Sequence, residues 1–401
     1  MTKKQMLITT VACALLSLFS ACVEFKDDSK ETKKTEQTAP APAPAPVGVA
    51  GGDTTDVSVP SYDVAALDTA GLGKEIPSAL TDSAVQNVKL ASADAPITKF
   101  PARIPTQGPV ALQLQILLDR ANFSPGIVDG AWGKNAAKAL AFFATNEASG
   151  DTVASPKSRP AMDRATYDRL RAAAGSGPLL LQYTITAGDA QGPFVQIPDL
   201  VYEQAKLKCL CYSSIGEALS ERFHTSQKLL AQLNPKVKLD ALRAGTVLTV
   251  PNVRNETDAS AADSVRIARL IISKTGFWTH AVDDRGHIIY HFPSTLGAGY
   301  DPSPTGDFKI VGLSHNPTFH YQPKLFAEVP DDKPEARLPA GPNSPVGVVW
   351  IGLSKPHYGI HGTSTPETIG YANSHGCVRL TNWDASQLSD LVESGTPVVF
   401  R

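Results

Sequence analysis

Two short stretches near the C-terminus decide the reading: Tyr358-Gly-Ile-His-Gly-Thr363 and Ser374-His-Gly-Cys-Val-Arg-Leu380. A cysteine becomes an acyl-transfer nucleophile when a nearby base takes its proton. Histidine suits that task because its pKa lies near neutrality. A glycine just before the cysteine lets the backbone bend and brings main-chain N–H groups toward a developing oxyanion. Cys377 as nucleophile, His361 as proton donor and acceptor, and the N–H groups of Gly376 and Cys377 as an oxyanion hole form a coherent set. His375 precedes the bend and supports the loop. A zinc site is the competing use of these histidines. It needs three or four ligands at suitable spacing, and no His-Glu-x-x-His spacing occurs. The residues alone point to a cysteine acyl transferase or hydrolase, with no metal or other cofactor implied.

Working outward, Val265–Ser273 predicts a strand, and Phe277–Phe292 alternates around Asp283-Asp284-Arg-Gly286 as a β-hairpin. Asp307–Val311, Val346–Ile351 and Pro397–Phe400 predict further strands, the last with Pro at its tolerated first position. Ser386–Glu393 reads as the one firm helix, starting near Trp383 with Asn382 or Asp384 as its N-cap. Residues 264–401 therefore form a β-rich unit.

In that unit, Ile360-His-Gly-Thr363 is followed by twelve residues and then Ser374-His-Gly-Cys-Val-Arg379. Pro304-Thr-Gly-Asp-Phe-Lys-Ile310, Asn316-Pro317 and Gly341-Pro-Asn-Ser-Pro-Val-Gly-Val-Val-Trp-Ile-Gly-Leu353 accompany them. Together they resemble the L,D-transpeptidase catalytic domain, the YkuD family. The resemblance implies a β-sandwich-like sheet carrying Cys377 and His361. It implies attack by Cys377 on the carbonyl after the L-centre of meso-diaminopimelate in a donor tetrapeptide, with release of D-Ala. A thioester acyl-enzyme then passes to an acceptor amine. It further implies that the backbone carbonyl of Gly362 orients His361. Arg379 either anchors a substrate carboxylate bidentately or pairs with an acid such as Asp384. Ser374 and Tyr358 join Arg379 as candidate substrate-binding residues, and His315, His320 and Tyr321 are expected in a loop lining the donor cleft. Two other outcomes stay open: a hydrolase or endopeptidase of the same fold, and a non-catalytic peptidoglycan-binding lipoprotein.

Two smaller units precede this one. In residues 105–173, Val110, Leu112, Leu114, Ile116, Leu117 and Leu118 make a helical apolar face. Phe123-Ser-Pro-Gly-Ile-Val-Asp-Gly-Ala-Trp-Gly133 forms a glycine-punctuated loop, and helices follow at Asn135–Thr145 and Asp163–Ala174. The pattern resembles the three-helix peptidoglycan-binding domain, with Trp132 and Phe123 as candidate sugar-stacking aromatics. In residues 178–254 the order is strand (Tyr183–Asp189), helix (Ile215–Phe223), helix (Ser226–Leu233), strand (Leu242–Pro251). With Leu233-Asn-Pro235 this is similar to a βααβ LysM module, a binder of N-acetylglucosamine polymers. An insertion, Gln191–Tyr212, separates the first strand from the helices and is expected to cover or remodel a glycan groove. It holds Cys209 and Cys211, read as a small-ring disulfide or a buried thiol pair.

Lys3 and Lys4 precede an uncharged, mostly apolar run, Met6–Phe19, too short to span a bilayer, which reads as a signal peptide over residues 1–21. Leu18-Phe19-Ser20-Ala21-Cys22 resembles a bacterial lipoprotein box. That resemblance implies lipidation at Cys22 and a periplasmic chain held at the outer membrane of a Gram-negative bacterium. Residues 22–104 lack periodicity and include a strict Ala-Pro alternation at 39–46, so they read as a disordered tether. The chain has 401 residues and a net charge of −2, and residues 105–401 carry equal numbers of acidic and basic side chains. That balance excludes a strongly basic nucleic-acid groove. The expected partners are peptidoglycan and, through Cys22, a membrane.

Overall fold

A computed structural model describes residues 90–147, 161–254, 267–299, 301–325, 329–330 and 332–401. The signal segment 1–21, Cys22 and the tether as far as residue 89 lie outside the described residues. The tether's expected end at residue 104 is corrected. Leu90–Asp94 forms a 3-10 turn with Leu90 and Ala93 buried, and β1 (Ala102–Arg103) pairs antiparallel with Ala161–Met162. Leu90 and Ala93 supply apolar surface that the following helices need covered, so this stretch folds with them.

The first unit is built on α1 (Pro109–Arg120) and α2 (Lys134–Glu147), followed by β2 (Ala161–Met162) and α3 (Arg164–Ala173). Pro109 opens α1, where its missing N–H costs nothing, and the Asp163 side chain caps α3 through the N–H of Thr166. The buried residues of α1 include Gln113, Gln115 and Asp119 as well as its leucines. Their polar atoms are satisfied by neighbouring loops: Gln113 Nε2 donates to the carbonyls of Ala93 and Ala95, and Gln115 Nε2 to Asp129 and Ala131.

The second unit pairs β3 (Leu180–Thr184) antiparallel with a later strand and carries short helices α4 (Ala187–Gln191) and α5 (Val201–Gln204) in the insertion. The region read as a continuing strand after Tyr183 instead turns into α4, because Thr186 and Asp189 form a reciprocal capping box. Helices α6 (Ile215–Arg222) and α7 (Gln227–Leu233) start on Ser214 and Ser226 caps. Strand β4 (Val247–Pro251) then closes the pair. Asn234 ties the end of α7 to β4, donating to the carbonyls of Leu230 and Thr249 and accepting from the Thr249 N–H.

The third unit contains β5 (Arg269–Ser273), β6 (Trp278–Val282), β7 (Ile288–Pro293) and β8 (Gly306–His315). A small hairpin, β9 (Phe319–Tyr321) with β10 (Ala336–Leu338), stands apart from the main sheet. Then come β11 (Val349–Leu353), β12 (Gly359–His361), β13 (Val378–Arg379), α8 (Asn382–Leu391) and β14 (Pro397–Phe400). The sheet order is β13-β12-β11-β8-β14-β5-β6-β7, with β12–β13 and β14–β5 parallel. Thr381, rather than Asn382 or Asp384, caps α8 by accepting from the Asp384 N–H.

The units share their interiors. Ile271, Trp278, Val282 and Ile288 belong to the same apolar core as the helices of the first unit. Phe142 of α2, fully buried, meets His280, His291 and Trp278 with ring centroids 4.5, 5.1 and 5.2 Å away. Phe123, a candidate for sugar stacking, is buried edge-on to Phe143 at 5.3 Å and is core instead. Trp132 is half-buried against the same core. Where the three units meet, buried Asp119 accepts from His224 Nδ1 at 2.9 Å and from the Arg254 backbone N–H at 2.9 Å. The Arg254 guanidinium reaches on to Asp384, which also accepts from Ser124 Oγ at 2.8 Å. Burial pushes both acids up. Arg254 and His224 outweigh it at Asp119 and hold its pKa low, whereas Asp384 stays above the usual carboxylate range.

Candidate active site

His361 ends β12, facing Trp350 of β11 on one side and Arg379 of β13 on the other in the strand register. Short β12 and β13 were not foreseen, because three-residue and two-residue strands have no readable periodicity. His361 is fully buried and stacks on the Trp350 ring, at 5.4 Å between centroids and 18° between planes. Its Nδ1 lies 2.7 Å from the Gly362 carbonyl. A carbonyl only accepts, so Nδ1 carries the proton and Nε2 presents a lone pair. Nε2 is buried and makes no hydrogen bond among the described residues.

Cys377 immediately precedes β13, two residues from the partner of His361, so both residues have the same parity in neighbouring strands. It is buried, and its thiol donates to the His357 carbonyl at 3.7 Å. Gly376 has φ +100°, and a Cβ there would lie 2.8 Å from Tyr358 Cε1. Only glycine fits that bend without strain. Ser303 Oγ donates to the Gly376 carbonyl at 2.8 Å and accepts from the Gly297 N–H at 2.9 Å. Ser374 is buried and donates to the Cys377 carbonyl at 2.5 Å, so its hydroxyl braces the nucleophile's own loop. His375 is buried beside the bend. Tyr358 packs across Gly376, with Lys355 Nζ 4.6 Å from its ring centroid.

Arg379 exchanges backbone hydrogen bonds with Thr295. The acid considered for its side chain, Asp384, is bonded to Arg254 instead. His320 and Tyr321 sit in β9 rather than in a loop; His320 meets Glu335 at 2.8 Å, and His315 closes β8. Tyr321 is buried in the apolar cluster that contains Cys377 and Trp350.

That cluster also holds Leu210, with Ile197, Val201, Tyr202 and Leu207 packed against it. The insertion, expected to cover or remodel a glycan groove, sends its apolar residues into this same cluster. Cys209 and Cys211 form a disulfide within it. Leu210 pairs backbone to backbone with Ala340 and Asn343, and Asn343 Nδ2 donates to the Cys211 carbonyl at 3.0 Å. At Gly341 a Cβ would fall 2.2 Å from the Leu210 carbonyl oxygen, so the two segments meet at a distance only glycine allows. Asn382, one residue into α8 from its cap, donates to both carboxylate oxygens of Glu221 in α6 at 3.1 Å. The roles of Trp350, Ser303, Gly341 and Asn382 were not legible beforehand, since each acts through a partner distant in sequence.

Residues 268–400 match the L,D-transpeptidase catalytic domain, YkuD, and residues 217–251 match the LysM domain. The chain is 30% identical to the putative L,D-transpeptidase YkuD of Bacillus licheniformis over 182 residues, 45% of this chain and 90% of that protein. It is 29% identical to the corresponding Bacillus subtilis protein over 184 residues, 46% of this chain and 92% of the other. Among solved structures, the catalytic domain of the E. faecium L,D-transpeptidase aligns at 20% identity over 34% of this chain and 99% of that one, with a TM-score of 0.27. A β-rich sheet with a buried histidine ending β12 and a buried cysteine just before β13, together with the match to the catalytic-domain family and 30% identity over 90% of the Bacillus licheniformis protein, makes the chain an enzyme of the L,D-transpeptidase family carrying a LysM domain.

Proposed function

We propose that the chain is a cysteine-dependent L,D-transpeptidase of peptidoglycan stem peptides. The observation that carries this is His361 Nδ1 at 2.7 Å from the Gly362 carbonyl, which places the proton there and leaves Nε2 as a base beside the strand that follows Cys377. In the acylation step Nε2 takes the Cys377 thiol proton as sulfur attacks the carbonyl after the L-centre of the donor's diaminopimelate. The C–S bond forms, and the C–N bond to D-Ala breaks. The proton on His361 goes to the departing amine. In the second step an acceptor amine attacks the thioester, His361 takes its proton, and the thiolate leaves and is reprotonated. The N–H groups of Gly376 and Cys377 stabilise the oxyanion in both steps. Arg379 is the candidate anchor for a substrate carboxylate.

The test is mass spectrometry of tetrapeptide muropeptides incubated with the wild-type and Cys377→Ala proteins. Wild type should release D-Ala and form cross-linked dimers, and Cys377→Ala should do neither. Cross-linking by Cys377→Ala would overturn the mechanism.

We also propose that Cys22 is lipidated and holds the enzyme in the periplasm at the outer membrane, with residues 23–89 as spacer and the two front units oriented toward the wall. The support is the sequence around Met6–Cys22. The intact mass of the mature chain, with and without Cys22→Ser, tests it. An unlipidated wild-type N-terminus would overturn it.

A further inference from the structure

A pocket of about 200 Å³ lies between the insertion and the catalytic loops, lined by Ile197, Gln204, Asn343, Pro345, Ser364 and Thr365. Its location ties it to the reacting groups. Ser364 and Thr365 follow His361 in the chain, and Ile197 packs against the cluster that contains Cys377. Its volume is on the scale of one amino-acid side chain, too small for a glycan strand.

Gln204 supplies the chemical signal. It is 6% exposed. Its Nε2 donates to the Pro198 carbonyl at 2.8 Å, which fixes the amide orientation, because a carbonyl cannot face the amide oxygen. The remaining atom, Oε1, is buried and accepts no hydrogen bond. A buried acceptor left unsatisfied is costly, and its side chain belongs to the wall of a pocket with room for a ligand. Such an oxygen selects an N–H group, an amide or an ammonium.

We infer that this pocket is a peptide subsite in which Gln204 Oε1 accepts a hydrogen bond from an N–H of the stem peptide. A residue of the LysM-bearing unit thereby recognises the substrate of the catalytic unit. The inference rests on the transpeptidase reading above. The N–H comes either from a main-chain amide of the donor or from the amine of the acceptor, and the two steps of the reaction separate these sources.

The experiment compares Gln204→Leu with Gln204→Glu in the full chain. Leu loses both the bond to Pro198 and the acceptor oxygen, whereas Glu keeps an acceptor oxygen and, as the neutral acid that burial favours, can still donate to the Pro198 carbonyl. Thioester formation on Cys377 is followed by intact mass with a tetrapeptide muropeptide, and transfer by the yield of cross-linked dimer per thioester formed. Gln204→Leu should lower one of these by about ten- to a hundredfold, the range for a buried hydrogen bond to an amide or ammonium. Gln204→Glu should stay within about threefold of wild type. A fall in thioester formation assigns the N–H to the donor, and a fall in transfer alone assigns it to the acceptor.

Wild-type behaviour of a folded Gln204→Leu in both steps overturns the inference, as does an equal loss in Gln204→Glu. Should Gln204→Leu not fold, Ile197→Trp fills the pocket from its other wall. It should give the same loss, and unchanged kinetics would overturn the inference. If wild type forms no thioester, the transpeptidase reading fails separately. Calorimetric titration of the same muropeptide into Cys377→Ala, with and without Gln204→Leu, still decides whether the pocket binds it: equal affinities overturn the inference.

Discussion

Arg254→Met should unlock the junction of the three units, and its cost can be worked from the contacts. The Arg254 side chain is 9% exposed, and the two acids it faces, Asp119 and Asp384, are 0% exposed. Methionine keeps most of the aliphatic volume and removes the charge. Asp119 retains His224 Nδ1 at 2.9 Å and the residue 254 backbone N–H at 2.9 Å, neither of which depends on the guanidinium. Among the described residues, Asp384 then retains a single side-chain hydrogen bond, from Ser124 Oγ at 2.8 Å. The penalty therefore centres on Asp384, one uncompensated buried charge, for which about 3–5 kcal/mol is expected. At roughly 2–4 °C per kcal/mol for a structure of this size, that is about 10 °C in Tm. Two further signs distinguish this cause from lost packing. Because the Asp384 pKa already lies above the ordinary carboxylate range, protonation relieves the variant as pH falls, so its deficit against wild type shrinks on acidification. Adding Asp384→Asn should restore most of the loss, since a neutral pair replaces a buried ion. Urea denaturation across pH 5 to 8 is the assay. A loss below about 1 kcal/mol at pH 7, or a deficit that grows on acidification, would refute the reasoning.

Gly376→Ala places a Cβ 2.8 Å from Tyr358 Cε1 at φ +100°; the strain should cost about 1–3 kcal/mol, and a displaced Cys377 should form its thioester about 100-fold more slowly. Wild-type acylation rates in intact-mass assays would show that the bend is not needed. His280 and His291 lie 2.9 Å apart and are buried, and burial holds both pKa values down, that of His291 to about 3 from 6.5. Between those pH values the unfolded chain binds the proton and the native one does not, so native stability falls as pH falls, by about 1.4 kcal/mol per unit for His291. His291→Gln should flatten the slope of stability against pH by that amount, and parallel slopes would contradict it.

The candidate catalytic set was legible because it is local. His361-Gly362 and Ser374-His-Gly-Cys377 are fixed by spacing along the chain, and the steric demand at Gly376 follows from a residue type at one position. The helices of the first unit and the hairpin around Asp283–Gly286 were legible for the same reason, since amphipathic periods of 3.6 and 2 are short-range signals. The folding of residues 90–94 was not, because Leu90–Asp94 is held by partners distant in sequence: Gln113 of α1 donates to the Ala93 carbonyl, and Asp94 accepts from the Leu179 N–H.

The sequence by itself pointed to the proposed chemistry, Cys377 as nucleophile and His361 as its base, and to the three folded units around it. Only the tertiary structure decided how the units meet. Asp384, read as a helix cap or a partner for Arg379, became the far end of a buried ion cluster, because the fold brings to it the guanidinium of Arg254, 130 residues away in sequence. The insertion Gln191–Tyr212 is tied to the third unit, because its apolar residues bury against Phe319, Tyr321 and Trp350. Burial and pairing of this kind depend on distances between residues separated by a hundred or more positions, and no local pattern encodes them.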